Sequence, residues 1–189
     1  MRITLVALLL AGCFAPGAGH AQAIDVEIRL AQGAGPAPST PGGAFTFTVP
    51  QSKVIVKVSD TSLRPDAGGD KPNYFKLTRR EPQLILSGWL EPAARYEGLE
   101  AFWESEKRSP AFAGPLAPTR IEMLRTAPWE VVAYDVSLPG GITSAHLRAE
   151  RVLAGTWIDL HLSTTSTRPP ATLRAELLAA LARVEVAQK

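Results

Sequence analysis

The patterned part of the chain opens at Ile24-Asp25-Val26-Glu27-Ile28-Arg29-Leu30. Apolar and charged side chains alternate there without a fault, the period of a strand with one buried face. Ala31 to Gly43 follows, a run of Gly, Pro, Ala, Ser and Thr that sustains neither a helix nor a central strand and reads as a tether. The first strand is expected at an edge of the protein's own sheet. The other reading is that strand and tether dock on a second protein by adding to a sheet edge. Beyond the tether, Phe45-Thr46-Phe47-Thr48-Val49 alternates and Val54-Ile55-Val56-Lys57-Val58 is rich in β-branched residues, so both predict strands. Ser59 to Asn73 carries Pro65, Gly68, Gly69 and Pro72 and predicts an exposed loop. Tyr74 to Thr78 and Leu84 to Trp89 predict a hairpin around Arg80-Glu81-Pro82.

The period then changes. Tyr96, Leu99, Phe102, Trp103 and Glu106 fall at helical spacing, with Pro92 near the start and Pro110 ending the run. This predicts an amphipathic helix whose aromatic stripe lies on a sheet as core packing; the competing reading is an aromatic box for a ligand. Ala111 to Thr119 reads as a second loop. Arg120 to Leu124 and Glu130 to Leu138 predict strands, the latter with Val132, Tyr134 and Val136 on one face. Ser144 to Thr164 predicts a long hairpin turning at Ala154-Gly155. Pro169 and Pro170 open a final helix, Ala171 to about Val184, with Leu173, Leu177, Leu178 and Leu181 at a period of about 3.6. Strands, helix, strands, helix is the order of an α+β domain: a mostly antiparallel sheet of five to seven strands with two main helices packed on it.

Composition narrows what such a domain can do. The chain has 189 residues, 46% apolar and 20% charged, enough for one domain with a real core. A net charge of +2 gives no electrostatic reason to expect nucleic acid as a partner. The single cysteine, Cys13, supports neither a disulfide framework nor a thiolate metal site. Residues 1–23 read as an export signal: Arg2 is the positive n-region, Ile3 to Leu10 the apolar h-region, and Ala21-Gln22-Ala23 the cleavage site. The division is therefore a signal peptide over 1–23, strand and tether over 24–43, and one α+β domain over 44–189. Leu10-Ala11-Gly12-Cys13 also resembles the bacterial lipobox, so the alternative to a periplasmic or secreted protein is one lipid-anchored in the cell envelope through Cys13. No transmembrane segment is expected in the mature chain, because no apolar run reaches the roughly 20 residues a span needs.

Chemistry concentrates on the last hairpin. If Leu153 and Thr156 flank a two-residue turn, Arg148 faces His161 and Glu150 faces Asp159. One face then carries Leu147, Ala149, Ile158, Leu160 and Leu162; the other carries His146, Arg148, Glu150, Trp157, Asp159, His161 and Ser163. Groups so placed lie roughly 7 Å apart along a strand and about 5 Å across it. Three readings follow. Asp159, His161 and His146 are ligand types that suit a divalent metal. His161 oriented by Asp159 is a general base. The third reading is a polar, helix-covered or solvated sheet face on which Arg148 and Glu150 pair across strands. His20 leaves with the signal, so only two histidines remain, too few for a strong metal centre, and neither metal nor cofactor is expected. No Gly-x-Ser-x-Gly elbow, phosphate-cradling loop or His-Glu-x-x-His occurs.

The strand Phe45-Thr46-Phe47-Thr48-Val49-Pro50, the aromatic helix, the three long strands and the closing helix together resemble the Mog1/PsbP-like α/β/α sandwich. Ala154 to Ser163 also resembles a motif of uncharacterised exported bacterial proteins. The resemblance covers about Ala44 to Val184, and the N-terminal strand and tether are not required by that fold. It implies an accessory or binding role with no shared catalytic site, so it transfers no functional residue. The expectation is an exported binding domain for a protein or small ligand of the cell envelope. Its candidate surface is His146, Arg148, Glu150, Trp157, Asp159 and His161, flanked by the loops Ser59–Asn73 and Ala111–Thr119. The alternative is a metal-dependent or acid–base enzyme using Asp159 and His161.

Overall fold

The computed structural model describes residues 27–30, 44–49, 52–66, 71–112 and 114–189. The expected signal, Cys13, the start of the first strand and the tether over 31–43 lie outside the described residues. In chain order the elements are β1 (Glu27–Leu30), β2 (Phe45–Thr48), β3 (Val54–Val58), β4 (Arg64–Pro65), β5 (Tyr74–Arg79), β6 (Leu84–Pro92), α1 (Leu99–Lys107), β7 (Thr119–Thr126), β8 (Trp129–Leu138), β9 (Ile142–Leu153), β10 (Thr156–Ser166), α2 (Pro170–Leu181) and β11 (Val184–Gln188). They form a seven-stranded sheet in the order β4-β5-β6-β10-β9-β8-β7 and a four-stranded sheet in the order β1-β2-β3-β11. Each pairing in both sheets is antiparallel, so the described residues form an α+β fold with two α-helices.

Alternation decides which side of the larger sheet is dry. Leu84, Leu86 and Leu90 of β6, Leu147 and Ala149 of β9, and Ile158, Leu160 and Leu162 of β10 all point to one side and are buried. Over them lie Phe45, Phe47, Val54, Val56 and Val58 of the smaller sheet and Leu173, Leu177 and Leu181 of α2, which together form the main core. The other side receives α1: Trp103 packs on Val132, Tyr134 and Val136 of β8 in a second apolar cluster. The two helices thus sit on opposite faces of the seven-stranded sheet.

Several expectations change. Two sheets replace the single one, because β2 and β3 pair with β11 and stack on the larger sheet instead of joining it. β11 begins where the closing helix was expected to end: α2 stops at Leu181, and Val184-Glu185-Val186 pairs with Val58-Lys57-Val56. The first helix begins at Leu99 rather than near Pro92, behind Gly98 at φ 102°, so Tyr96 precedes it. The loop Ser59–Asn73 contains β4, which adds to β5, and the loop after α1 contains two 3-10 turns, Pro110–Phe112 and Gly114–Leu116. At the far edge, β7 is broken by a bulge between Thr119 and Glu122, with Arg120 at φ 50°. Arg174 of α2 donates to the Arg120 carbonyl at 2.8 Å, so this stretch of the edge is partly occupied from within.

Candidate functional site: the polar face of the last hairpin

Ala154 at φ 50° and Gly155 at φ 78° make the tight turn of the β9–β10 hairpin. Two successive positive φ values are what a two-residue hairpin turn of right-handed twist requires. The turn fixes the register: Leu153 faces Thr156, Glu150 faces Asp159 and Arg148 faces His161. All six candidate residues, His146, Arg148, Glu150, Trp157, Asp159 and His161, therefore share the face that looks toward α1.

The half of that face nearest the turn is roofed. The Trp157 ring lies against Tyr96, centroids 5.4 Å apart, and meets the edge of Phe102 at 5.9 Å. Its indole N–H donates to Glu150 Oε2 at 2.6 Å. Tyr96 donates its hydroxyl to Glu130 Oε2 at 2.9 Å. Arg148 donates to Asp159 Oδ2 at 2.7 Å, lies 3.4 Å from Glu106 Oε2 of α1, and stacks its guanidinium 4.9 Å from the Phe102 ring centroid. Burial alone disfavours the Arg148 charge, but Asp159 and Glu106 more than restore it. Arg148 and Glu150, expected to pair, are two apart on β9 and do not pair with each other; each reaches across to β10, Arg148 in an ion pair with Asp159 and Glu150 accepting from Trp157. Glu106 was visible beforehand as an acid inside an apolar stripe, a sign that something basic lies beneath the helix.

The other half of the face holds a chain of neutral hydrogen bonds. Thr165 Oγ1 and Ser144 Oγ are 3.1 Å apart, Ser144 Oγ and His146 Nε2 2.8 Å, and His146 Nδ1 and His161 Nε2 3.0 Å. Tyr134 lies flat on His146, with centroids 4.8 Å apart and planes 3° from parallel. Burial, and after it the Arg148 charge, pulls the His146 pKa down to about 4, and the same two causes with His146 added hold His161 well below its usual value. Both rings are thus neutral across the working range of most proteins. Sequence reasoning left Ser144, Thr165 and Tyr134 out of this group, although register alone places Ser144 opposite Thr165 and Tyr134 opposite His146.

Asp159 and His161, the pair of the acid–base reading, are not hydrogen-bonded to each other: Asp159 is held by Arg148 and His161 by His146. Among the described residues no group of three or more His, Cys, Asp or Glu side chains is placed to hold a metal ion. An open cleft of about 450 Å³ lies beyond the end of β10, lined by Arg80, Glu81, Pro82, Gln83, Thr164, Thr165, Ser166 and Arg168. Thr165 is its link to the histidines. Arg168 is engaged there by Glu176 at 2.8 Å. No protein-family model matches the chain, and no curated protein matches it significantly. Among the described residues no helix is long and apolar enough to cross a membrane.

Proposed function

We propose that the chain is an exported accessory or binding domain that acts through a surface rather than a catalytic centre. The observation that carries this reading is the internal pairing of the hairpin's charged residues. Arg148 is held between Asp159 and Glu106 under α1, and among the described residues neither imidazole has a carboxylate to orient it as a base. The accessible part of the face lies past α1, where partly exposed Lys76, Ser87, His161 and Ser163 flank the Tyr74–Trp89 ring pair, centroids 4.6 Å apart. Aromatic rings set among hydroxyls and imidazoles suit a small ligand or a peptide segment of a partner protein.

Native mass spectrometry of the chain, expressed in a bacterium with its own N-terminal segment and purified gently, tests the reading. A mass beginning at Ile24 with a bound molecule supports both export and small-ligand binding. A bare chain of that mass supports export and directs the search to protein partners by crosslinking from position 89. A lipid on Cys13 replaces soluble export by anchoring. A mass beginning at Met1 overturns export, and turnover of a substrate that is lost in His161→Ala overturns the binding reading.

A further inference from the structure

Three buried polar atoms on the roofed half of the face have no hydrogen-bond partner among the described residues: Glu150 Oε1, Asp159 Oδ1 and Arg148 Nε. Two of them are carboxyl oxygens of directly opposed residues, with Glu150 0% and Asp159 7% exposed. Their sister oxygens are taken, Glu150 Oε2 by the Trp157 indole and Asp159 Oδ2 by Arg148. Two bare carboxylate oxygens on facing residues of a dry site repel each other and lack any solvating partner, whereas one proton between them satisfies both at once.

We propose that Glu150 and Asp159 share a single proton, and that this proton pins α1 and the Tyr96–Trp157 contact against the sheet. The groups facing the pair support one proton rather than none. Among the described residues Arg148 of β9 is the cation bonded to the pair, and it is divided between Asp159 and Glu106 of α1. Glu130 of β8, directly opposite Glu150, adds a further carboxyl, which Tyr96 caps with its hydroxyl. On the β6 side Glu91 lies opposite Trp157 and is held by Arg95 at 2.7 Å and by Asn73. Burial, then Asp159, push the Glu150 pKa well above the usual glutamate value against the opposing pull of Arg148 and Trp157.

The pin has a direction in pH. A carboxyl whose folded pKa is raised contributes fully below its unfolded value, and that contribution is lost as pH rises through the folded one. Alkaline solution therefore places a second negative charge beneath Trp157, and α1 loosens.

Carboxyl ¹³C NMR of the full chain, with amide exchange of Leu99–Lys107 followed in parallel, tests this. The expected result is a protonated Glu150 at neutral pH, with protection of α1, corrected for intrinsic exchange, falling by up to about tenfold for each pH unit from the ordinary glutamate pKa up to the Glu150 midpoint and levelling off above it. Glu150→Gln mimics the protonated acid and is expected to keep α1 protected throughout. An ionised Glu150 at neutral pH overturns the proposal, a result that needs no variant to fold. So does an unchanged alkaline opening in Glu150→Gln.

Discussion

Gly88 shows how little room a single residue has. A Cβ there would stand 2.4 Å from Phe75 Cε1 and 2.8 Å from Leu160 Cδ2, and the Phe75 ring is itself wedged against Phe45 and Phe47 of the smaller sheet. Gly88→Ala is expected to cost about 1–3 kcal/mol in a urea melt, because the ring has no free direction in which to yield. His146 makes the opposite kind of statement, about charge. Its pKa is held down to about 4, so its contribution to stability is complete above the unfolded value and is lost as pH falls toward that figure. The expected outcome is a decline in melting temperature between about pH 6.5 and 4 that is flatter in His146→Gln. At this scale the sequence was informative about position and mute about partners. Alternation through Leu147 to Leu162 assigned each hairpin side chain to its face. Whether Arg148 would choose Glu150 or Asp159 depended on Glu106 and Phe102, which a distant helix brings in.

α1 has nine residues and buries one of them fully, Trp103. That ring meets Tyr134 at 5.0 Å and Phe112 at 6.1 Å, so Trp103 is the helix's one fully buried anchor, aided by Phe102 against Trp157 and Arg148 and by the Glu106–Arg148 contact. Trp103→Ala is expected to cost about 3–5 kcal/mol. Circular dichroism and amide exchange together are expected to show α1 released while β5, β6, β9 and β10 stay protected. Exchange loss spread evenly over both sheets would refute the anchor account. The helix was legible from its 3.6 period, but its start was not, since Gly98 rather than Pro92 decides where helical φ begins. β11 was missed for a related reason. Val184-Glu185-Val186 is too short for its alternation to stand out after an apolar helix, and only the waiting edge of β3 makes it a strand.

Across the whole molecule, Asp60 ties together parts that are far apart in sequence. Its carboxylate accepts from the Ser62 amide at 3.0 Å and from the Ser62 hydroxyl. It also meets Arg183, between α2 and β11, at 3.2 Å and Arg79, at the end of β5, at 3.5 Å. Burial works against the ionised form, but the Ser62 bonds and the two arginines prevail and lower its pKa. Asp60→Asn is expected to cost about 1–3 kcal/mol at neutral pH. The loss is expected to shrink in acid, because a depressed carboxylate contributes above its unfolded pKa and ceases to as pH falls through the folded one. Division into two sheets was the part of the architecture hardest to read in advance. A strand's alternation shows that one face is buried, and is silent on which of two sheets supplies the cover. The rims of the larger sheet bear on how the protein behaves in a crowded solution. One rim is β4, two residues long and including Pro65, which has no N–H to offer. The other is β7, kinked by its bulge, with the Arg120 carbonyl already accepting from Arg174. A second molecule approaching β4 or the Thr119–Glu122 stretch of β7 meets a broken template, which disfavours extension of the seven-stranded sheet by edge-to-edge pairing there.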